Sequence, residues 1–239
     1  MKKLLIIAVF AVFSATSAMS ATFSPSIGVS ANTAGFAASG SEKNFDDSDA
    51  LRATTKEHGA FADSFGSIFL EVNLGDTFAV GVDYVVGSFE TPTNTSKEGN
   101  KPQAAAPDPG LQKVHVSFED YTTGYIKLNL PILSGTYLKA GMSSADVIVN
   151  EETVSGHTYN NTTTEGITVG FGYNHEVSNG FSVRAEIMAT EWDDMTSKNN
   201  ITAGDQGTDS AAGGNGGKNE ITITDAWSAR GTISLVKTF

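Results

Sequence analysis

The stretch from Glu220 to Phe239, EITITDAWSARGTISLVKTF, constrains the fold of this chain more than any other. Read with period two, one side carries Trp227, Ala229, Gly231, Ile233, Leu235 and Phe239. The other carries Ser228, Arg230, Thr232, Ser234 and Thr238. This alternation is that of a strand with one apolar and one wet face. A soluble sandwich strand shows the same pattern but ordinarily continues into a turn or tail. Twelve positions separate Trp227 from Phe239. A strand tilted by about 45° climbs roughly 2.3 Å per residue, which puts the two aromatics about 28 Å apart in height. That matches the apolar band of a membrane-spanning barrel, with an aromatic girdle at each rim.

The first residues bear on the same question. Lys2 and Lys3 precede ten apolar residues, Leu4 to Phe13, and then small residues up to Ala18 or Ala21. The pattern is that of a secretory signal peptide over residues 1–21, cleaved between 18 and 21, ahead of a single domain over 22–239. Ten apolar residues are too few to span a bilayer as a helix, and no later segment is apolar enough to do so. A membrane location therefore requires a closed barrel. The chain has no cysteine, which suits export through an oxidising compartment. Removing the leader removes Lys2 and Lys3 and no acid, so the formal charge goes from −12 to −14 and argues against a nucleic-acid partner. Eight strands of roughly ten membrane residues need only about 80 residues, whereas a sixteen-stranded barrel would leave too few for its connections.

Taken in order, the weakest strand runs from Phe23 to Phe36, and Ala38 to Asp63 reads as a long polar first loop with Glu42, Asp46, Asp47, Asp49 and Glu57. Ile68, Leu70, Val72 and Leu74 alternate with Ser67, Phe69, Glu71 and Asn73 before a tight turn at Gly75-Asp76. Phe78 to Val86 gives a third strand, with Ala79, Gly81, Asp83 and Val85 on its wet side. Glu90 to Gln112 holds four of the six prolines and reads as a second long loop. A fourth strand, with Thr123, Tyr125, Lys127 and Asn129 inward, turns at Pro131–Gly135 into a fifth, with Tyr137, Lys139, Gly141 and Ser143 inward. Val147 to Thr164 is the third loop, with flanks that suit strand extension. A sixth strand over Ile167–Tyr173 turns at Ser178-Asn179-Gly180 into a seventh that carries Ser182, Arg184, Glu186 and Met188 inward and is topped by Trp192. Asp193 to Asn219 is the last loop, tipped by the run Gly213 to Gly217.

Long and short connections alternate, with four long and three short. Phe78, Tyr173, Phe181 and Phe239 then fall at one rim, and Tyr84, Trp192 and Trp227 at the other. On this pattern the chain resembles the small eight-stranded outer-membrane barrels, the OmpA membrane domain, OmpX and opacity-protein type. The resemblance implies an all-β, antiparallel, up-and-down transmembrane β-barrel, integral to a bacterial outer membrane. It implies short periplasmic turns, long extracellular loops and both termini periplasmic. A ten-stranded barrel stays open if the first loop hides a hairpin. The last strand resembles the C-terminal strand of such barrels, whose final aromatic is part of the signal read by the barrel-assembly machinery. Lys237 departs from the hydrophobic residue usual two places before it, though a lysine at the rim snorkels into headgroups.

The wet faces carry Glu71, Asp83, Lys127, Lys139, Arg184, Glu186 and Arg230, which such a barrel would turn into a lumen just wide enough for side chains to fill. Pairing into a charge network is expected, because an unpaired charge at membrane depth is costly. The network is read as structural, with pore lining as the alternative. Trp192, Trp227 and Phe239 are expected as rim aromatics and assembly signal. None of His58, His115, His157 and His175 stands in a metal spacing, and His58 near Glu57 and Asp63, or His115 near Glu119, are weak catalytic candidates. The loop acids Asp193, Asp194, Asp205 and Asp209, with those of the first loop, lack an EF-hand spacing and read as solvated charge that divalent ions could bridge to lipopolysaccharide. Sequons at Asn94 and Asn161 carry little meaning in a Gram-negative cell. The expected function is non-enzymatic, without cofactor: support of the outer membrane and surface interaction through acidic loops with an extracellular ligand. Its partners would be membrane lipid, lipopolysaccharide and the assembly machinery, and a monomer is expected. A small passive porin-like channel is the alternative, and a secreted soluble β-sandwich the third class.

Overall fold

The computed structural model describes residues 23–45, 50–97, 111–152, 158–199 and 219–239. The leader at 1–21, the acids Asp46, Asp47, Asp49, Asp205 and Asp209, His157 and the run Gly213 to Gly217 lie outside the described residues.

All regular structure described is β. The strands are β1 (Phe23–Phe45), β2 (Leu51–Leu74), β3 (Phe78–Val86), β4 (Phe89–Glu90), β5 (Asn94–Lys97), β6 (Leu111–Asn129), β7 (Thr136–Glu152), β8 (Thr162–Ser178), β9 (Phe181–Trp192), β10 (Met195–Lys198) and β11 (Asn219–Thr238). Pairing runs β1-β2-β3-β6-β7-β8-β9-β11, antiparallel throughout, and returns to β1 through pairs such as Val29↔Leu235. Eight strands thus close a ring, which removes the free edges of an open sheet. The short β4 and β5 add to β6, and β10 adds to β11.

Alternation sets the two faces. Ile68, Leu70, Ile126, Leu138, Ile167 and Ile187 stand exposed on the outside, while their neighbours Ser67, Lys127, Lys139, Thr168 and Glu186 are buried in the lumen. This inversion of a soluble protein, apolar outside and polar inside, is what a hydrocarbon solvent demands. At one end the strands join through tight turns, the shortest at Asn179-Gly180, where both residues have positive φ (51° and 74°) and so suit a two-residue hairpin. The opposite end, called the loop end here, carries the long connections.

Two expectations are corrected. Ala38 to Asp63 is no loop for most of its length: β1 and β2 stay paired from Ala38↔Gly59 up to Phe45↔Leu51, so the region lengthens one hairpin and adds no strand to the ring. Along residues 53–60 both faces are exposed, and a strand wet on both sides shows no hydrophobic period. The Val147 to Thr164 flanks likewise belong to β7 and β8. Trp192 is the second correction. It sits inside the ring at 8% exposure, with its Nε1–H donating to Ser228 Oγ at 3.0 Å, whereas Trp227 is exposed on the outer wall. Phe239 follows β11 and is also exposed. The reason is parity: Ser182, Arg184, Glu186, Met188, Thr190 and Trp192 all share the inner face of β9.

The two tryptophans are the only ones in the chain, so their placement is testable by fluorescence. In vesicles of lipid brominated along its acyl chains, Trp192→Phe protein, emitting from Trp227, should be strongly quenched. Trp227→Phe protein, emitting from Trp192, should be nearly unaffected.

Candidate functional site: a charged layer and an aromatic cluster in the lumen

Seven charged side chains from six strands meet in the lumen, each at most 6% exposed. Glu71 on β2 is the centre of the larger group. Its carboxylate accepts Lys127 Nζ of β6 at 2.5 Å, both terminal nitrogens of Arg184 of β9 at 3.0 Å, and the hydroxyl of Tyr125 at 3.1 Å. The fork-to-fork geometry of the Arg184 pair fixes direction as well as charge. Glu186 accepts Lys139 Nζ at 2.9 Å and the Tyr137 hydroxyl at 2.8 Å. Asp83 accepts Arg230 at 3.1 Å and Ser67 Oγ at 2.9 Å. The Lys139 ammonium also lies 3.8 Å from the centroid of the Tyr125 ring, and the Arg184 guanidinium 5.0 Å from that of Phe69. Every member of the layer therefore has an ionic partner.

The rings in this layer lie across glycines. Tyr125 pairs with Gly81, Tyr137 with Gly172 and Phe69 with Gly28 on the neighbouring strand. A Cβ at any of these glycines would run into the facing ring. With no side chain below them, the tyrosines can lie along the wall and carry their hydroxyls to Glu71 and Glu186. Around the layer, Thr123, Ser143, Thr168 and Thr190 form a continuous chain of hydroxyl contacts at 2.8, 2.6 and 2.8 Å, joining β6 to β9. Thr232 donates to Asn32 Oδ1 at 2.7 Å, and Asn32 Nδ2 to Ser67 Oγ at 3.1 Å, across β11, β1 and β2.

Toward the loop end the inward residues change character. Phe36 stacks on Phe61 at 4.8 Å and on Phe89 at 4.9 Å, Phe89 on Phe118 at 5.0 Å, and Tyr121 meets Trp192 edge-on at 5.4 Å. Val85, Val147, Met195 and Ala226 complete this cluster. Residues in β-bulges help build it: register shifts occur between Ala37 and Ser39 and between Glu119 and Thr122, with Asp120 and Asp225 both at φ 51°. Bulges of this kind re-aim the side chains that follow, and Ala226 and Ile223 both reach the cluster from β11. The cluster carried no signal in the strand-by-strand reading, since Phe61, Phe89 and Phe118 fell in stretches read as loop or strand approach. Lumen parity applied to Tyr121 and Trp192 was the signal available.

The histidines are scattered. His58 Nδ1 lies 3.0 Å from Ser39 Oγ, His115 Nε2 is 3.9 Å from Glu90 Oε2 rather than beside the expected Glu119, and His175 stacks near Tyr173. Among the described residues no three His, Asp or Glu side chains group as a metal site.

A family model described as an outer membrane protein beta-barrel domain matches residues 5–205. No curated protein matches. Among solved structures, the outer membrane protein OprG from Pseudomonas aeruginosa is similar over 89% of this chain and 96% of its own, at 11% identity and a TM-score of 0.51. Two others cover nearly their whole length at lower similarity. The outer membrane protease OmpT of Escherichia coli matches at 10% identity, 94% and 100% coverage and TM-score 0.40; the Yersinia pestis attachment protein Ail, in complex with a heparin analogue, matches at 9%, 89% and 99% coverage and TM-score 0.38.

Removing the carboxylate at the centre of the layer leaves two buried cations unpaired. Glu71→Ala should lower stability by about 3–5 kcal/mol in urea titrations of protein folded into vesicles. Ser30→Ala, which removes one hydroxyl contact to Ser234, should cost about 0.5–1.5 kcal/mol. Gly172→Val should cost about 1–3 kcal/mol by displacing Tyr137, while Gly59→Ala, whose Cβ would meet nothing, should be within about 0.5 kcal/mol of wild type.

Proposed function

This chain belongs to the outer membrane protein β-barrel domain family, and from that premise we propose that it is a closed, non-enzymatic barrel that supports the bacterial outer membrane and presents its loop-end strands for surface interaction. The observation that carries the reading is the charged layer: seven buried side chains, each with an ionic partner, fill the lumen. A water-filled path would need those groups solvated and apart, and a lumen ringed by eight strands has room for side chains rather than a channel. The surface role rests on β1 and β2, which remain paired far beyond the apolar belt and carry the exposed Glu57 and the half-buried Asp63, whose Oδ2 accepts from Glu90 N–H. In this reading the tight turns and both ends of the barrel domain face the periplasm, and the loop end faces outward. The rim-exposed Trp227 and Phe239 mark the two interfaces, with Phe239 serving the assembly machinery.

Single-channel recording of refolded protein in planar bilayers tests this reading, with folding verified by heat-dependent gel mobility. The wild type should be silent. Discrete wild-type openings whose conductance changes in Arg230→Glu would place the layer on an ion path and favour a small passive channel instead.

A further inference from the structure

The charged layer does not balance. Its four cations, Lys127, Lys139, Arg184 and Arg230, face three anions, Glu71, Asp83 and Glu186, and all seven side chains are buried. The surplus has a definite place. Lys139 is matched by Glu186 and Arg230 by Asp83, whereas Glu71 alone serves both Lys127 and Arg184. The group centred on Glu71 therefore carries a net charge of +1 at membrane depth, where uncompensated charge is costly.

Hydrogen bonding singles out the same group. Arg184 gives both terminal nitrogens to Glu71, and its Nε–H is buried with no acceptor. The rings of Phe69 and Tyr137, with centroids 5.0 and 5.4 Å from the guanidinium, offer it π-faces but no lone pair. Asn174 stands directly opposite Arg184 in the β8–β9 ladder, and its Oδ1 is buried and unpartnered too. Directly opposed side chains share one face of a sheet, with Cβ atoms about 5 Å apart. A half-turn of the carboxamide exchanges its two ends, which puts Nδ2–H where Oδ1 stands and makes a second donor beside Nε–H. Arg230 Nε also lacks an acceptor, but its charge is already matched by Asp83. A water molecule between Arg184 and Asn174 would satisfy both polar groups and leave the charge. An anion answers both needs.

We propose that the lumen binds one small monovalent inorganic anion, of the halide class, against Arg184 Nε–H and the Asn174 carboxamide. A lumen filled by side chains admits nothing much larger. Glu186, two residues from Arg184 on the same face, is held by Lys139 and Tyr137, and Glu176, two residues from Asn174, is exposed. Asn174 itself is half-buried near the turn end of β8, and the ion reaches the site from that end. With it bound, positive and negative charges in the layer are equal in number.

Binding to the folded state alone makes stability depend on anion concentration. Urea unfolding of the protein in vesicles reads this directly, with sodium gluconate replaced by sodium chloride or bromide at constant ionic strength. Once the site fills, the wild-type unfolding constant should fall about tenfold for each tenfold rise in either halide, the signature of one ion released on unfolding. Lys127→Met removes the surplus charge and should abolish the dependence. Asn174→Asp places a carboxylate beside Arg184 and should abolish it as well. At this half-buried position it decides the matter even where Lys127→Met fails to fold. A wild-type unfolding constant indifferent to halide between about 1 mM and 1 M overturns the proposal. So does an unchanged slope in either variant, because the ion then lies elsewhere or acts by screening.

Discussion

A barrel that is apolar outside has only its lumen in which to place charge, and every charge placed there must find a partner. Glu71 meets this constraint for two cations at once. Arg184 reaches it from β9 and Arg230 reaches Asp83 from β11, so both guanidinium pairs join strands that are not neighbours in the ring. Backbone pairing alone fixes each strand against the next. These cross-lumen bonds fix opposite walls against each other, which sets the ring's cross-section. A buried pair of this kind is a poor source of net stability but a costly thing to break. The layer therefore acts on specificity: a one-residue slip of β9 would move Arg184 and Glu186 to the hydrocarbon side together.

The lumen is divided by chemistry along its length. Hydroxyls stand among the charges: Ser26, bonded to Thr238, lies opposite Glu71, and Ser30, bonded to Ser234, lies opposite Ser67, which donates to Asp83. Toward the loop end follow the rings of Phe36, Phe65, Phe89, Tyr121 and Trp192. Each charge has an ionic partner, although Arg184 Nε and Arg230 Nε are buried without a hydrogen bond, and Trp192 illustrates the boundary, with its ring in the aromatic cluster and its N–H on Ser228. Arg230 marks the same boundary from below, 5.6 Å from the centroid of Tyr121 while bonded to Asp83. Aromatic faces accept cations, so the transition from charge to ring needs no intervening water.

Strand faces were legible wherever one side met lipid and the other the lumen, because period two then writes itself into the sequence. Ile68 and Leu70, Phe78 to Val86 and Phe181 to Ala189 fall on the faces their alternation gives them. The upper halves of β1 and β2 were illegible for the same reason in reverse, since 53–60 are wet on both sides and only register reveals their pairing. Trp192 was legible by parity, yet the expectation that aromatics sit at rims outweighed it. The tyrosine-over-glycine contacts were out of reach: each joins residues far apart in sequence, Gly81 to Tyr125 and Gly172 to Tyr137, and depends on the register between strands.

The wall is split beside β2, where its pairing with β3 ends at Gly66↔Val86 while β4 pairs with β6, and this split locates the edge of the hydrocarbon. Unpaired backbone groups are not tolerated facing lipid. In the ring, β2 has two strand neighbours from Leu74 up to Gly66 and, among the described residues, one beyond it. Gly66 and Val86 therefore stand at or above the level where lipid gives way to water. The other side of the wall carries no such break, since β1 stays paired with both β2 and β11 up to Asn44. Glu90 N–H and Asp63 Oδ2, 3.3 Å apart, bridge the base of the split, a side-chain bond where a ladder bond has ended. Water at that level satisfies the remaining edge.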